Sequence, residues 1–303
     1  MKRLSILLFR INLKYSLLFI IFLGLWVYSL TEPTYSPNLL KSQNNYNFPA
    51  VIAHKALSSD EFPGNSLSAV IQTLDTSVDG IEVDVRMSKD SVLFLYHGDI
   101  LEDYTNLKGV TENFNWSFLK SAMYNGTKEK LLLLDDFLSL VNNQKVIFLD
   151  IKSNDIFNIE MARKVVNIIN KHKLEKTVFV ESFNPITLGS IRKYGKNILL
   201  MYDFTDNIKA SEEESQDQFN RIPWFLKQYW FQKQIRRIIE PDVLGPRFNF
   251  NREILQSLVR NNYPIICWTV DDFSIAKSLY DAGVMGLQSN KPKIIIAAKS
   301  NTN

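Results

Sequence analysis

From residue 49 onward, short β-rich runs alternate with helical stretches, and this alternation limits the fold more than any other feature of the chain. The strand candidates are "VIAH" (51–54), "GIEVDVR" (80–86), "VLFLYH" (92–97), "VIFLDIK" (146–152), "TVFVESF" (177–183), "NILLMYD" (197–203), "DVLGPRF" (242–248), "PIICWTV" (264–270) and "VMGLQS" (284–289). Helical patterns such as "IEMARKVVNIINKHK" and "REILQSLVRNN" lie between them. Strands alternating with helices imply a parallel sheet covered by helices. One connection breaks the rule: only "MSKDS", Met87 to Ser91, joins the second and third candidates. Parallel neighbours need a crossover of about a dozen residues or more, so this pair must be an antiparallel hairpin. Setting "VLFLYH" aside as an excursion leaves eight strands, the number that closes a barrel. The expected fold is α/β, a (β/α)8 TIM barrel over residues 49–303.

A chain of 303 residues suits such a barrel as one domain. The net charge of +3 is small and the Lys and Arg residues are dispersed, which argues against nucleic acid as a partner. A single cysteine, Cys267, excludes an internal disulfide and a cysteine zinc site. Its place in "PIICWTV" reads as a small core residue.

The N-terminus differs from the rest. Lys2, Arg3, Arg10 and Lys14 precede an uncharged stretch over residues 15–30. At about 1.5 Å per residue it falls a little short of the bilayer core, a gap that snorkelling by Lys14 would close. No small-x-small cleavage site follows it. The expectation is a single-pass signal anchor over 1–30 with a cytoplasmic N-terminus, a polar tether over 31–48, and an extracytoplasmic barrel. The segment "RIPWFLKQYWFQKQIRRIIE" reads as a barrel helix with a solvated basic face; a membrane-surface helix is the alternative.

Active sites of such barrels lie at the C-terminal ends of the strands. Those ends carry His54, Glu82 with Asp84, Asp150 with Lys152, Glu181 and Trp268. Alternation puts Glu82 and Asp84 on one face, with Val83 and Val85 on the other. Charges on apolar strands are costly to bury unless paired or bound to metal. Glu82 and Asp84 could pair with basic residues, and Asp150 and Lys152 could bridge each other. Against that, independent strands place polar groups at one end of the barrel. Three carboxylates without a thiolate make a hard oxygen site suited to Mg²⁺ or Ca²⁺. Two histidines supply a general base and a general acid, and a lysine supplies positive charge for a phosphate oxygen. The inferred chemistry is cleavage of a phosphodiester.

From Val51 to Pro292 the sequence resembles the glycerophosphodiester phosphodiesterase family. "AHKA" and "PGNSLSAV" correspond to the family's H-R-G and P-E-N-T, "GIEVDVRMSKDS" to its E-x-D strand, and "YHGD" to its H-D. "DIK" stands for E-I-K, "SFNP" for S-F, "WTVDD" for W-T-V-N, and "GVMGLQSNKP" for G-V-D-G-I-x-T-D-x-P. The resemblance implies a metal-dependent hydrolase releasing glycerol 3-phosphate and an alcohol from glycerophosphodiesters. It implies His54 and His97 as the acid–base pair and Glu82, Asp84 and Asp150 as ligands of one Mg²⁺ or Ca²⁺. Lys55, Lys152 and Trp268 would contact substrate. The sequence departs from the family at Lys55 (for Arg), Gly64 (for Glu), Gly98 (for Asp) and Asp150 (for Glu). The alternatives are a lysophospholipase D acting on lysophospholipids and an inactive barrel that binds phosphate or lipid head groups.

Overall fold

The computed structural model describes residues 16, 18–24, 26–28, 31–33, 35, 40, 47–57, 59–205 and 223–301. All nine strand candidates form: β1 (Val51–Ala53), β2 (Gly80–Met87), β3 (Leu93–Leu95), β5 (Val146–Ile151), β6 (Val178–Ser182), β7 (Leu199–Phe204), β8 (Val243–Pro246), β9 (Ile266–Cys267) and β10 (Gly286–Ser289). One more, the two-residue β4 (Leu132–Leu133), was too short for its alternation to register in the sequence. Among the described residues from 47 onward the α-helices are α1 (Leu67–Leu74), α2 (Trp116–Leu119), α3 (Leu134–Val141), α4 (Ile159–His172), α5 (Pro185–Tyr194), α6 (Tyr229–Ile239), α7 (Arg252–Arg260), α8 (Phe273–Asp281) and α9 (Pro292–Ser300).

Eight strands run parallel in the order β8-β7-β6-β5-β2-β1-β10-β9. The remaining seam is closed by the bridges Leu244–Ile265 and Arg247–Trp268. The result is a near-closed parallel barrel of the (β/α)8 type. As the five-residue "MSKDS" connection demands, β3 folds back antiparallel on β2, pairing Val85 with Leu95 and Met87 with Leu93. β4 extends this excursion. It packs on its own small core of Phe94, Tyr96, Leu101, Leu119, Tyr124 and Leu131.

Alternation along the strands divides the interior from the helix layer. Ile81, Val83 and Val85 of β2 join the large core between sheet and helices. Inside the barrel, Ile52, Phe148, Phe179, Leu199, Met201, Val243 and Ile266 form a second core. Phe148 and Phe179 stack there with ring centroids 4.8 Å apart. This apolar plug fills the barrel, so polar inward residues collect at its C-terminal mouth. Cys267 is buried and free, as its apolar run implies.

The N-terminus corrects one expectation. No helix among the described residues is long and apolar enough to cross a membrane, which overturns the single-pass anchor with an extracytoplasmic barrel. At about 1.5 Å per residue the uncharged stretch 15–30 is shorter than a core of about 30 Å, and Lys14, whose snorkelling was to close that gap, lies outside the described residues. Residues 1–15, including the four basic residues, lie outside the described ones. Just beyond the stretch, Glu32 pairs with Arg236 of α6 at 2.8 Å and accepts from the Tyr229 hydroxyl. Arg237 donates to the carbonyls of Tyr28 and Thr31 at 2.8 and 2.7 Å. Thus α6 is a barrel helix, but its basic face is met by the chain's own Tyr28, Thr31 and Glu32 rather than by solvent alone.

Candidate active site

Five inward carboxylates from four neighbouring strands meet at the mouth. Parallel register sets Asp84 of β2 beside Asp150 of β5, and Asp150 beside Glu181 of β6. Glu82 lies one inward position below Asp84. One oxygen from each of Glu82, Asp150 and Glu181 falls within 4.8 Å of the others, and all three residues are buried. Asp203, the last inward residue of β7, is also buried beside them. Glu82 Oε1, Asp150 Oδ1 and Asp203 Oδ1 are buried without a hydrogen-bond partner. Burial pushes the Glu82, Glu181 and Asp203 carboxyls well above the usual range, and the like charges beside them add to it. Asp150 is raised for the same first reason, with Lys152 pulling the other way.

Asp84 has different company. Its Oδ1 lies 3.0 Å from His97 Nδ1 and 3.3 Å from Lys152 Nζ. Its Oδ2 accepts from Asn65 Nδ2 at 2.7 Å, and the Asp84 N–H donates to Asn65 Oδ1 at 2.9 Å. Burial opposes its ionisation, but His97 and Lys152 outweigh burial and hold the carboxyl well below its ordinary value. The structure therefore groups Glu82, Asp150 and Glu181, and directs Asp84 toward His97. Lys152 is buried and bridges Asp150 and Asp84.

His54 follows β1 in a short turn whose next residue, Lys55, has a left-handed backbone with φ of 52°. Such a conformation costs a non-glycine residue about 1–3 kcal/mol. Two contacts hold it: the Lys55 N–H donates to Glu82 Oε2 at 2.6 Å, and the Asn65 N–H donates to the Lys55 carbonyl at 2.8 Å. The turn leaves His54 Nε2 3.7 Å from Glu82 Oε2. Burial, then the charge of Lys55, push the His54 imidazole down to about 4. His97 arrives from the excursion, as the hairpin requires, and sits edge-on to Tyr104.

His54, Lys55, His97, Asp150, Lys152, Glu181, Asp203 and Trp268 all line one cleft of about 350 Å³. Trp268 forms a wall with Phe183, their rings edge-to-face at 5.2 Å, and donates from Nε1 to the Gly245 carbonyl at 2.8 Å. The expected site residues are thus together, with Asp84 and Glu82 just beneath the cleft.

At two departures from the family pattern a side chain would crowd its neighbours. A Cβ on Gly64 would lie 2.8 Å from Lys55 Cβ, and one on Gly98 would lie 2.9 Å from both the Ile100 carbonyl and the Tyr96 hydroxyl. In place of an acid at 98, Asp99 and Glu112 pair with the buried Arg86. The motifs assign no role to Asn65, Glu181, Asp203 or Gln288. Gln288 Nε2 donates to both Glu181 oxygens, at 3.1 and 2.8 Å. The sequence held a signal for two of these: Glu181 and Asp203 each end an apolar strand on its inward face.

The profile of the Glycerophosphoryl diester phosphodiesterase family matches residues 54–294. A glycerophosphodiester phosphodiesterase of Caldanaerobacter subterraneus subsp. tengcongensis is 24% identical over 254 residues, spanning 81% of this chain and 96% of that protein. One from Bacillus altitudinis is 28% identical over 250 residues, spanning 80% of this chain and 94% of that protein. Among solved structures, an Oleispira antarctica phosphodiesterase in complex with the product sn-glycerol-3-phosphate superposes with a TM-score of 0.70 at 20% identity, covering 84% of this chain and 97% of that one. At that identity the likeness speaks for the fold. The family profile spans most of the chain, across both histidines and every carboxylate of the cleft: the chain belongs to the glycerophosphoryl diester phosphodiesterase family and is a phosphoric diester hydrolase.

Proposed function

We propose that the chain hydrolyses glycerophosphodiesters to glycerol 3-phosphate and an alcohol, with His54 and His97 as the proton-carrying groups and a divalent cation as cofactor. The observation that carries this reading is the single cleft in which both histidines and two lysines surround buried carboxylates. The carboxylates fit a cation: three offer oxygens within 4.8 Å, and buried oxygens of Glu82 and Asp150 have no other partner. Glu82, Asp150 and Glu181 would hold it, and an all-oxygen set suits Mg²⁺ or Ca²⁺. When bound, the ion supplies a Lewis acid for charge developing on phosphoryl oxygens.

The chain's own groups do the rest. His54 stays neutral near pH 7 because burial and Lys55 disfavour its charged form, so its Nε2 suits a general base that takes the proton from the attacking oxygen. That oxygen forms a bond to phosphorus as the bond to the departing alcohol breaks. His97, with Nδ1 held toward Asp84, suits the general acid that returns a proton to the leaving oxygen. Lys55 and Lys152 place positive charge on the cleft wall for the phosphoryl oxygens. Among the described residues the apolar lining is limited to Phe183 and Trp268, which favours a small polar diester over a long acyl chain.

The test incubates the full chain with glycerophosphocholine or lysophosphatidylcholine, with Mg²⁺, Ca²⁺ or EDTA. Glycerol 3-phosphate and choline should appear from the first substrate, and EDTA or His54→Ala should abolish turnover. Faster cleavage of lysophosphatidylcholine would make the chain a lysophospholipase D. Undiminished turnover in EDTA or in His54→Ala would sink the mechanism, and binding without turnover would leave a head-group-binding barrel.

A further inference from the structure

Beside His54 lie two cleft residues that no step above uses, Asn290 and Asp271. Register brings the first of them there: Ser289 of β10 pairs with Ala53 of β1, so the next residue on each strand, Asn290 and His54, are neighbours. Asn290 Oδ1 lies 2.8 Å from His54 Nδ1. Asn290 Nδ2 donates to Asp271 Oδ2 at 2.9 Å. Asp271 Oδ1 in turn accepts from the Asn290 N–H and the Ser289 hydroxyl, both at 2.8 Å.

These contacts assign atoms that geometry alone leaves ambiguous, the two ends of an amide and the two nitrogens of an imidazole. An ionised carboxylate accepts and never donates, so the Asn290 group turned toward Asp271 is its NH₂. The atom turned toward His54 is then the amide oxygen, which also only accepts. His54 Nδ1 must carry the proton, and Nε2 keeps the lone pair, 3.7 Å from Glu82 Oε2.

We propose that Asp271 and Asn290 are positioning residues: Asp271 orients the Asn290 amide, and Asn290 fixes His54 as the tautomer protonated on Nδ1, with Nε2 as its basic nitrogen. This rests on the reading of His54 as an acid–base residue. It also accounts jointly for two further departures from the family pattern. Asp271 stands where W-T-V-N has Asn, and Asn290 stands where T-D-x-P has Asp. One amide and one carboxylate are kept, with their places exchanged. Either change alone would set two carboxylates or two amides against each other. Together they keep one order of donors and acceptors ending at His54 Nδ1.

Two measurements test this on the full chain. The sequence has three histidines, so ¹⁵N-histidine labelling gives few signals, and His54→Ala assigns the one in question. Long-range ¹H–¹⁵N spectra of the parent chain should show His54 neutral and protonated on Nδ1, and Asp271→Asn should turn this into a mixture of tautomers. A parent chain protonated on Nε2 overturns the proposal, as does an unchanged tautomer in Asp271→Asn. In turnover of glycerophosphocholine, Asp271→Asn and Asn290→Asp should each lower kcat by about 10–100-fold, less than the roughly 10²–10⁴-fold of a general acid–base group itself because His54 is kept, with KM nearly unmoved. The double variant Asp271→Asn/Asn290→Asp should regain most of the loss. Single variants with parental kcat, or a double variant that melts like the parent without recovery, also overturn it; if the double variant melts lower, the parent spectrum decides. Full activity in His54→Ala would sink the proposed mechanism while leaving the tautomer result to stand or fall separately.

Discussion

Arg86 donates two hydrogen bonds to the carbonyl oxygen of His97, from Nε at 3.3 Å and from Nη2 at 3.0 Å. Arg86 belongs to a barrel strand and His97 to the excursion, so this one side chain ties the excursion to the sheet. Arg86 is 2% exposed, and its charge is met by Asp99 and by Glu112 at 2.9 Å. Glu112 also accepts from the Asn154 N–H at 3.0 Å, which draws the loop after β5 into the same network.

Removing that guanidinium should therefore misplace His97. Arg86→Met would leave two partly buried carboxylates without their cation, at a cost of about 3–5 kcal/mol. Arg86→Lys keeps charge but loses the planar fork. We expect both variants to fall about 100-fold in kcat, the scale of a misplacement near 1 Å. Steady-state kinetics on material shown by circular dichroism to be folded checks this. Parental kcat in Arg86→Lys would mean that His97 is held by other contacts.

The crowded carboxylates lead to a second prediction. A cation that binds the folded chain alone stabilises it by about 2.7 kcal/mol at a concentration 100 times its Kd. For a domain of this size that is a rise of roughly 5–10 °C in melting temperature. Mg²⁺ or Ca²⁺ added to EDTA-treated protein should produce such a rise, and Glu181→Gln should shrink it. A melting curve indifferent to both ions would remove Glu82, Asp150 and Glu181 as ligands.

Without a cation, the same residues should make stability fall as pH rises. Burial raises the folded-state values of Glu82, Glu181 and Asp203 above their unfolded ones. A raised carboxyl binds more protons folded than unfolded, so its contribution is complete below about pH 4 and is lost as pH climbs toward the folded value. Urea titrations of EDTA-treated protein from pH 5 to pH 8 should show a declining midpoint, and saturating cation should flatten the trend. A midpoint that climbs across this range would contradict the prediction.

Putting the family's residue back at Gly98 should do harm. Any Cβ there would lie 2.9 Å from the Ile100 carbonyl and from the Tyr96 hydroxyl. That hydroxyl is fixed by donating to the Ile100 carbonyl at 2.8 Å, so the neighbours have little room to yield. Gly98→Asp should cost about 1–3 kcal/mol, as overpacking does, and lower activity through His97. Thermal melts and turnover would show it; a variant as stable and active as the parent would remove this account of Gly98.

Local pattern determined much of this protein. Short β-rich runs marked nine strands, and period-two alternation placed Glu82 and Asp84 opposite Val83 and Val85. The brevity of "MSKDS" forced β3 back over the barrel, which is why His97 reaches the cleft. These properties depend on residues close together in the chain, where sterics and connection length leave few choices. Tertiary structure decided which side chains meet. The register of β5 on β6 sets Glu181 beside Asp150 and makes it part of the carboxylate group. Asp84 is claimed by Asn65, His97 and Lys152, residues from three other segments. The Asp271–Asn290–His54 chain spans the two ends of the barrel sequence. Each of these pairings is chosen by long-range packing and by competition among buried charges, and none is written in the spacing of any one motif.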